Sequence, residues 1–377
     1  MPLLFDAHLD LAWNALSFDR DLTESIEQIN LREIGISDSN ARGNATVNLP
    51  EMRRGRVAAC LGTLLVHDRP DICPMEGHQR ISLDYRSRTA ASAIAFGQLA
   101  YYQLLDQQGQ LTIIRTVQEL NHSWQQWESI RDEHDASEVP IGVILAMEGA
   151  DAIITPTQVA VWAARGVRVI GLVHYGHNQY AHGTGEAGPL TAAGRQLLQE
   201  MESANIILDV THLSDEGVFE AIDTFSGPIM ASHQNCREVV PGERQFSDEQ
   251  LRRLLTRDAV IGVALDNWML VSHWVTGKSS RQEATLNQVV DHIDRICQIA
   301  GDDLHVAIGS DLDGGYGTEQ SPIEITTIAD MQKLTLALEN RGYAAESIQF
   351  ICHGNWLRFF RKNLPSTEAS QPALTCA

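Results

Sequence analysis

Short runs of apolar and β-branched residues alternate along this chain with longer stretches whose apolar positions recur every three or four residues. The runs at 3–9, 58–66, 142–147, 167–174, 206–210, 228–232, 260–265 and 304–309 predict strands, since each is short and closed by polar or turn-forming residues. Helical spacing fills the stretches at 194–204, 215–222, 248–255 and 282–299. Residues 328–363 read as two further helices joined at Arg341-Gly342. The interval from Val66 to Val139 is too long for a simple crossover, and its pattern predicts added helices at 89–105 and 117–133.

Strands alternating with helices argue for a parallel sheet. Eight is also the number of strands that closes a barrel. The expected fold is therefore α/β, a (β/α)8 TIM barrel of the metal-dependent hydrolase type, with extra helices between strands 2 and 3 and at the C-terminus. A doubly wound open sheet shares the alternation, but no G-x-G-x-x-G turn follows the first strand. A single domain over 1–364 and a polar, flexible tail over 365–377 complete the expected organisation.

Composition narrows the function. A chain of 377 residues, 44% of them apolar, is large enough for one such core. The formal net charge of −21 repels phosphate backbones and anionic lipid, so neither nucleic acid nor a membrane surface is an expected partner. No basic segment leads into a long apolar stretch, and no run approaches the roughly 20 apolar residues that span a bilayer. Six scattered cysteines without a C-x-x-C pair suggest a reducing compartment, and a cytoplasmic location is the expectation.

Candidate chemistry gathers at the carboxyl ends of the predicted strands. Strand one ends in Asp6-Ala7-His8-Leu9-Asp10, strand three in Met147-Glu148, strand four in His174, strand five in Thr211-His212, strand six in Ser232-His233 and strand eight in Ser310-Asp311-Leu312-Asp313-Gly314. Four of only 14 histidines fall there, on the face where (β/α)8 enzymes place their active sites. His8 and Asp10, two apart on a strand, point the same way and suit a divalent metal such as zinc. Each residue alone has an ordinary reading: a hydrogen-bonded core histidine, a salt-bridged glutamate, an Asp-rich turn. Together they offer three ligands to each of two metals if Glu148 bridges, which is the grouping two-metal hydrolysis needs. Asp311 is placed to take and return a proton, and His174 to donate to a developing oxyanion.

The string Asp6-Ala7-His8-Leu9-Asp10-Leu11 resembles the D-x-H-x-D-L opening of the membrane (renal) dipeptidase family, within the amidohydrolase superfamily. The resemblance continues in order through Asn48-Leu49-Pro50, Ala146-Met147-Glu148-Gly149, Gly188-Pro189-Leu190-Thr191, Asp209-Val210-Thr211-His212, Ala231-Ser232-His233, Ser310-Asp311-Leu312-Asp313-Gly314 and Gly354-Asn355-Trp356. It implies a dipeptidase with two zinc ions: His8 and Asp10 on one, His212 and His233 on the other, Glu148 between them. His174 would contact the substrate carbonyl and Asp311 would carry a proton to the leaving amine. Arg244 would grip the terminal carboxylate, with Arg237 as a competitor for that role. Dimers are common in that family, so a homodimer is a further expectation. The chain departs from the family at Leu9, often Asn there, and at Leu265-Asp266-Asn267-Trp268, and it carries extra histidines, His177 and His182. Dipeptides, L,D as well as L,L, are the expected substrates. Another small amide or ester, such as an N-acyl amino acid, would need only different pocket walls. A non-catalytic metal-binding barrel is the remaining reading.

Overall fold

The computed structural model describes residues 1–69, 83–130 and 136–367. Eight parallel strands carry the fold: β1 (Leu4–Leu9), β2 (Val57–Leu65), β3 (Ile141–Glu148), β4 (Val167–Gly171), β5 (Ile207–Asp209), β6 (Ile229–Met230), β7 (Ile261–Val263) and β8 (Val306–Ile308). Their order is β7-β8-β1-β2-β3-β4-β5-β6. The remaining gap, between β6 and β7, is spanned by a parallel bridge from Ala231 to Ile261, so the sheet is a nearly closed barrel. Every residue of these strands is buried, which explains why they read as continuous apolar runs rather than alternating ones. One apolar cluster runs through all eight strands and into the surrounding helices.

Closure depends on two glycines. A Cβ on Gly262 in β7 would lie 1.9 Å from the carbonyl oxygen of Ser232, and one on Gly309 after β8 would lie 1.8 Å from the same atom. Only a residue without a side chain lets the strand-six end tuck between its neighbours.

The inserted helices are present between β2 and β3. Arg88–Gln107 precedes a short strand, Leu111–Ile113, that pairs with the start of β3. The next helix, Val117–Glu128, begins in a capping box in which Thr116 and Glu119 satisfy each other's backbone N–H. It stops short of the expected 133, and residues 131–135 lie outside the described residues. The crossover from β1 to β2 also carries helices that the sequence pattern did not suggest: Leu11–Ser17, Ile26–Arg32 and Leu49–Arg54.

Two expectations need correction. The fourth strand ends at Gly171, not 174, because the chain then turns onto other partners: Leu172 O accepts from Ala150 N and Asn178 Nδ2, and bridges Tyr175–Thr184 and His177–His182 build a separate loop. His174 therefore stands on that loop rather than on a strand. The C-terminal segment does break at Gly342, whose φ of +101° closes Lys333–Arg341. Its second half is a helix interrupted by a wide turn at Phe350–Gly354 before Asn355–Asn363. Of the expected tail, Pro365 O accepts from Val117 N at 3.0 Å, and residues 368–377 lie outside the described residues.

Candidate metal centre and substrate cleft

Five of the expected residues surround Glu148 at the carboxyl mouth of the barrel. His8 is on β1, Asp10 caps the helix that follows, and Glu148 is the last residue of β3. His212, His233 and Asp311 each lie three residues past the ends of β5, β6 and β8. His212 and Asp311 adopt φ of +68° and +59°, a left-handed turn that His and Asp tolerate better than most side chains. The turn reverses the chain immediately after the strand and leaves both side chains facing inward.

Glu148 divides its two oxygens. Oε2 is 3.4 Å from His8 Nε2, while Oε1 is 3.1 Å from His212 Nε2 and 3.4 Å from His233 Nε2. Asp10 and Asp311 each bring an oxygen within 3.9 Å of His8 Nε2. Two ligand groups result, His8–Asp10–Glu148 and Glu148–His212–His233, with possible donor atoms inside 4.8 Å of one another. Asp311 forms a further such group with His8 and His233.

The rings are held from behind. Ser232 Oγ lies 2.9 Å from His233 Nδ1 and 3.4 Å from His8 Nδ1, and Thr184 Oγ1 lies 3.0 Å from His212 Nδ1. Thr63 Oγ1 donates to Asp10. With each Nδ1 engaged, each Nε2 turns toward Glu148, the arrangement by which outer partners orient metal-ligating histidines.

The electrostatics fit a bound cation. His8 Nε2 is buried without a hydrogen-bond partner, an atom that a metal would satisfy. Burial works against a charged His8, yet the carboxylates of Glu148, Asp10 and Asp311 lift it to about 10. Burial and the charge of Glu148 push Asp10 up to about 7, and burial lowers His212 to about 3. Burial also drives the Asp311 carboxyl well above its usual range, with Glu148 and Asp10 adding to the effect against His8. Three clustered carboxylates and three inward imidazoles are costly to desolvate alone and well matched to divalent charge.

A small cleft opens beside this centre. His174, Tyr175, Arg244, Asp266 and Trp268 line it together with Asp311. His174 Nε2 is 3.6 Å from Glu148 Oε1, and burial keeps its ring neutral. Arg244 is buried and anchored, Nη1 donating to Gln234 Oε1 at 2.5 Å and Nη2 to His233 O at 3.0 Å. Arg237 lies elsewhere, its guanidinium closed on Asp215 by bonds of 2.7 and 2.8 Å. The geometry thus offers Arg244, and not Arg237, to a ligand in the cleft. His177 and His182 bond to Glu186 and Pro189 O and build their loop without lining the cleft.

Sequence reasoning missed His67 and Asp84, and named Asp266 only within a departure from the family pattern. His67 Nε2 is 2.8 Å from His174 Nδ1, and His67 Nδ1 is 3.1 Å from Asp84 Oδ1. His67 follows β2 by two residues, so the strand-end signal that picked out the other histidines applied to it too.

The chain is similar to known proteins in sequence and, for one solved structure, in fold. A Klebsiella pneumoniae protein described as an uncharacterized protein in the pqqA 5' region is 30% identical over 206 residues, 52% of this chain and 73% of that protein. Dipeptidase tcpJ of Claviceps purpurea (strain 20.1) is 29% identical over 216 residues, covering 55% of this chain and 47% of its own length, so the match spans about half of the fungal protein. The solved metallo peptidase from Rhodobacter sphaeroides, liganded with a phosphinate mimic of the dipeptide L-Ala-D-Ala, has the same fold at TM-score 0.74 and 22% identity, over 96% of this chain and 99% of that one. The family described as membrane dipeptidase, peptidase family M19, matches residues 2–372, and the chain belongs to it.

Proposed function

We propose that this chain hydrolyses dipeptides using two divalent metal ions, zinc by expectation, held by His8 and Asp10 on one side and His212 and His233 on the other. The observation that carries the reading is the division of Glu148, whose Oε2 faces His8 while Oε1 faces His212 and His233. When bound, such a pair supplies Lewis acidity to acidify a water and polarise a carbonyl. The chain's own groups do the rest. Arg244, on the cleft wall, holds the substrate carboxylate. His174 donates to the oxygen that gains charge as the carbonyl is attacked. Asp311, on the cleft wall beside His8, takes a proton from the attacking water and returns it to the leaving amine.

Metal-loaded protein assayed on L,L and L,D dipeptides and on N-acyl amino acids tests the reading. Expected is dipeptide cleavage that a chelator abolishes and zinc restores. Turnover of N-acyl amino acids with no dipeptide cleaved would overturn it. The Asp311→Asn enzyme is expected to keep its metal and lose about 10²–10⁴-fold in kcat.

A further inference from the structure

Behind His174 stands a hydrogen-bonded chain that the reaction as described does not use. His67 and Asp84 sit on a two-stranded parallel pair, His67–Asp68 against Asp84–Tyr85, at the rim of the barrel. The pair is firmly tied. His67 N donates to Leu83 O at 2.8 Å, Asp68 N to Asp151 Oδ1 at 2.9 Å, and Asp151 Oδ2 accepts from Asn178 Nδ2 in the His174 loop at 2.7 Å. The His67 bond also holds the Asp84 carboxyl below its ordinary range, so Asp84 is an ionised acceptor and His67 Nδ1 carries the proton between them.

Two proton arrangements then satisfy the contact between His67 Nε2 and His174 Nδ1. In either, the His174 ring is held from behind through Nδ1 and its Nε2 is aimed into the cleft beside Glu148.

We propose that Asp84 and His67 are positioning residues that hold the His174 ring from behind, so that its Nε2 meets the substrate oxyanion. The inference rests on the reading of His174 as the partner of that oxyanion. It makes the dyad an outer partner of the substrate carbonyl, parallel to the way Ser232 and Thr184 back the rings of His8, His233 and His212.

The test compares His67→Ala, His67→Gln, Asp84→Asn and His174→Ala as metal-loaded enzymes on a cleaved dipeptide. Loss of an orienting outer partner is expected to lower kcat in His67→Ala by about 10–100-fold, with KM within about twofold and metal content unchanged. His67→Gln, whose amide can still bond His174 Nδ1, is expected to recover much of that loss, as is imidazole added to His67→Ala. Heteronuclear NMR of histidine-labelled protein follows the ring directly: the signal that vanishes in His174→Ala is expected to shift and broaden in His67→Ala. Full activity in His67→Ala, a loss matched by lost metal, or a His174 signal unchanged in His67→Ala would overturn the proposal. Wild-type turnover and its collapse in His174→Ala separate the two levels. If either fails, the reading of the site falls and the dyad with it; if both hold while His67→Ala is undiminished, the dyad alone falls.

Discussion

Asp311 and Asp313 stand two residues apart on one loop and face different tasks. Asp313 is a structural tie: its carboxylate accepts from Thr46 N, Thr46 Oγ1 and Val47 N and lies 3.4 Å from Arg20 Nη1. Asp311 lines the cleft instead, and Gly314 gives it room, for a Cβ there would fall 2.0 Å from Asp311 Oδ1. Gly314→Ala is therefore expected to push the carboxylate aside and cost about 10²-fold in kcat, with metal content unchanged by elemental analysis. Unaltered kcat would show that Asp311 need not lie where it does. At this scale much was legible. His8, Asp10, Glu148, His212, His233 and Asp311 were visible because ligand-type residues recur at the ends of several separate apolar runs, although each alone has an ordinary reading. His67 and Asp84 were not singled out. Their link spans 17 residues and depends on a two-residue strand pair that no periodicity announces.

Elements were legible in proportion to their length. Helices such as Arg88–Gln107 and Leu286–Ala300 carry enough turns for spacing to show. Leu11–Ser17 and Leu49–Arg54 have seven and six residues, too few to be stable alone, and exist because the barrel packs against them. The strands past β3 were read two or three residues too long, since an apolar run continues into the loop while the ladder does not. The last helix, Asn355–Asn363, shows how much one element holds. Trp356 is fully buried, stands 6.5 Å from Phe5 ring to ring, and donates Nε1–H to Ile308 O at 2.8 Å, fastening β8 beside β1. Trp356→Ala is expected to destabilise by about 3–5 kcal/mol in denaturant titration. A change below about 1 kcal/mol would mean that the helix merely covers the barrel.

At the scale of the molecule, acid stability has an identifiable contributor. Burial lowers His292 from 6.5 to about 4, and its Nδ1 accepts from Cys236 N at 3.1 Å. The unfolded chain protonates first as pH falls, so this contribution is complete above about 6.5 and is lost on the way to 4. Between about pH 7.5 and about pH 5 the wild type is expected to lose roughly 2 kcal/mol more than His292→Gln. Parallel pH dependences in the two proteins would remove His292 from the account.

The junction of β6 and β7 is lightly laced, a single bridge at Ala231–Ile261 where neighbours such as β2 and β3 share seven residue pairs. His233 follows the strand that borders it, and Arg244, on the loop beyond, donates to His233 O. A metal joining His233 to Glu148 across the mouth would act as a clasp on a seam, so loading the centre would also slow the breathing of the wall. Deuterium uptake at Ala231 and Gly262, whose N–H groups cross that line, is expected to fall when zinc is added, while uptake in β2 stays unchanged. Equal uptake with and without zinc would show that the seam is already shut before the ions arrive.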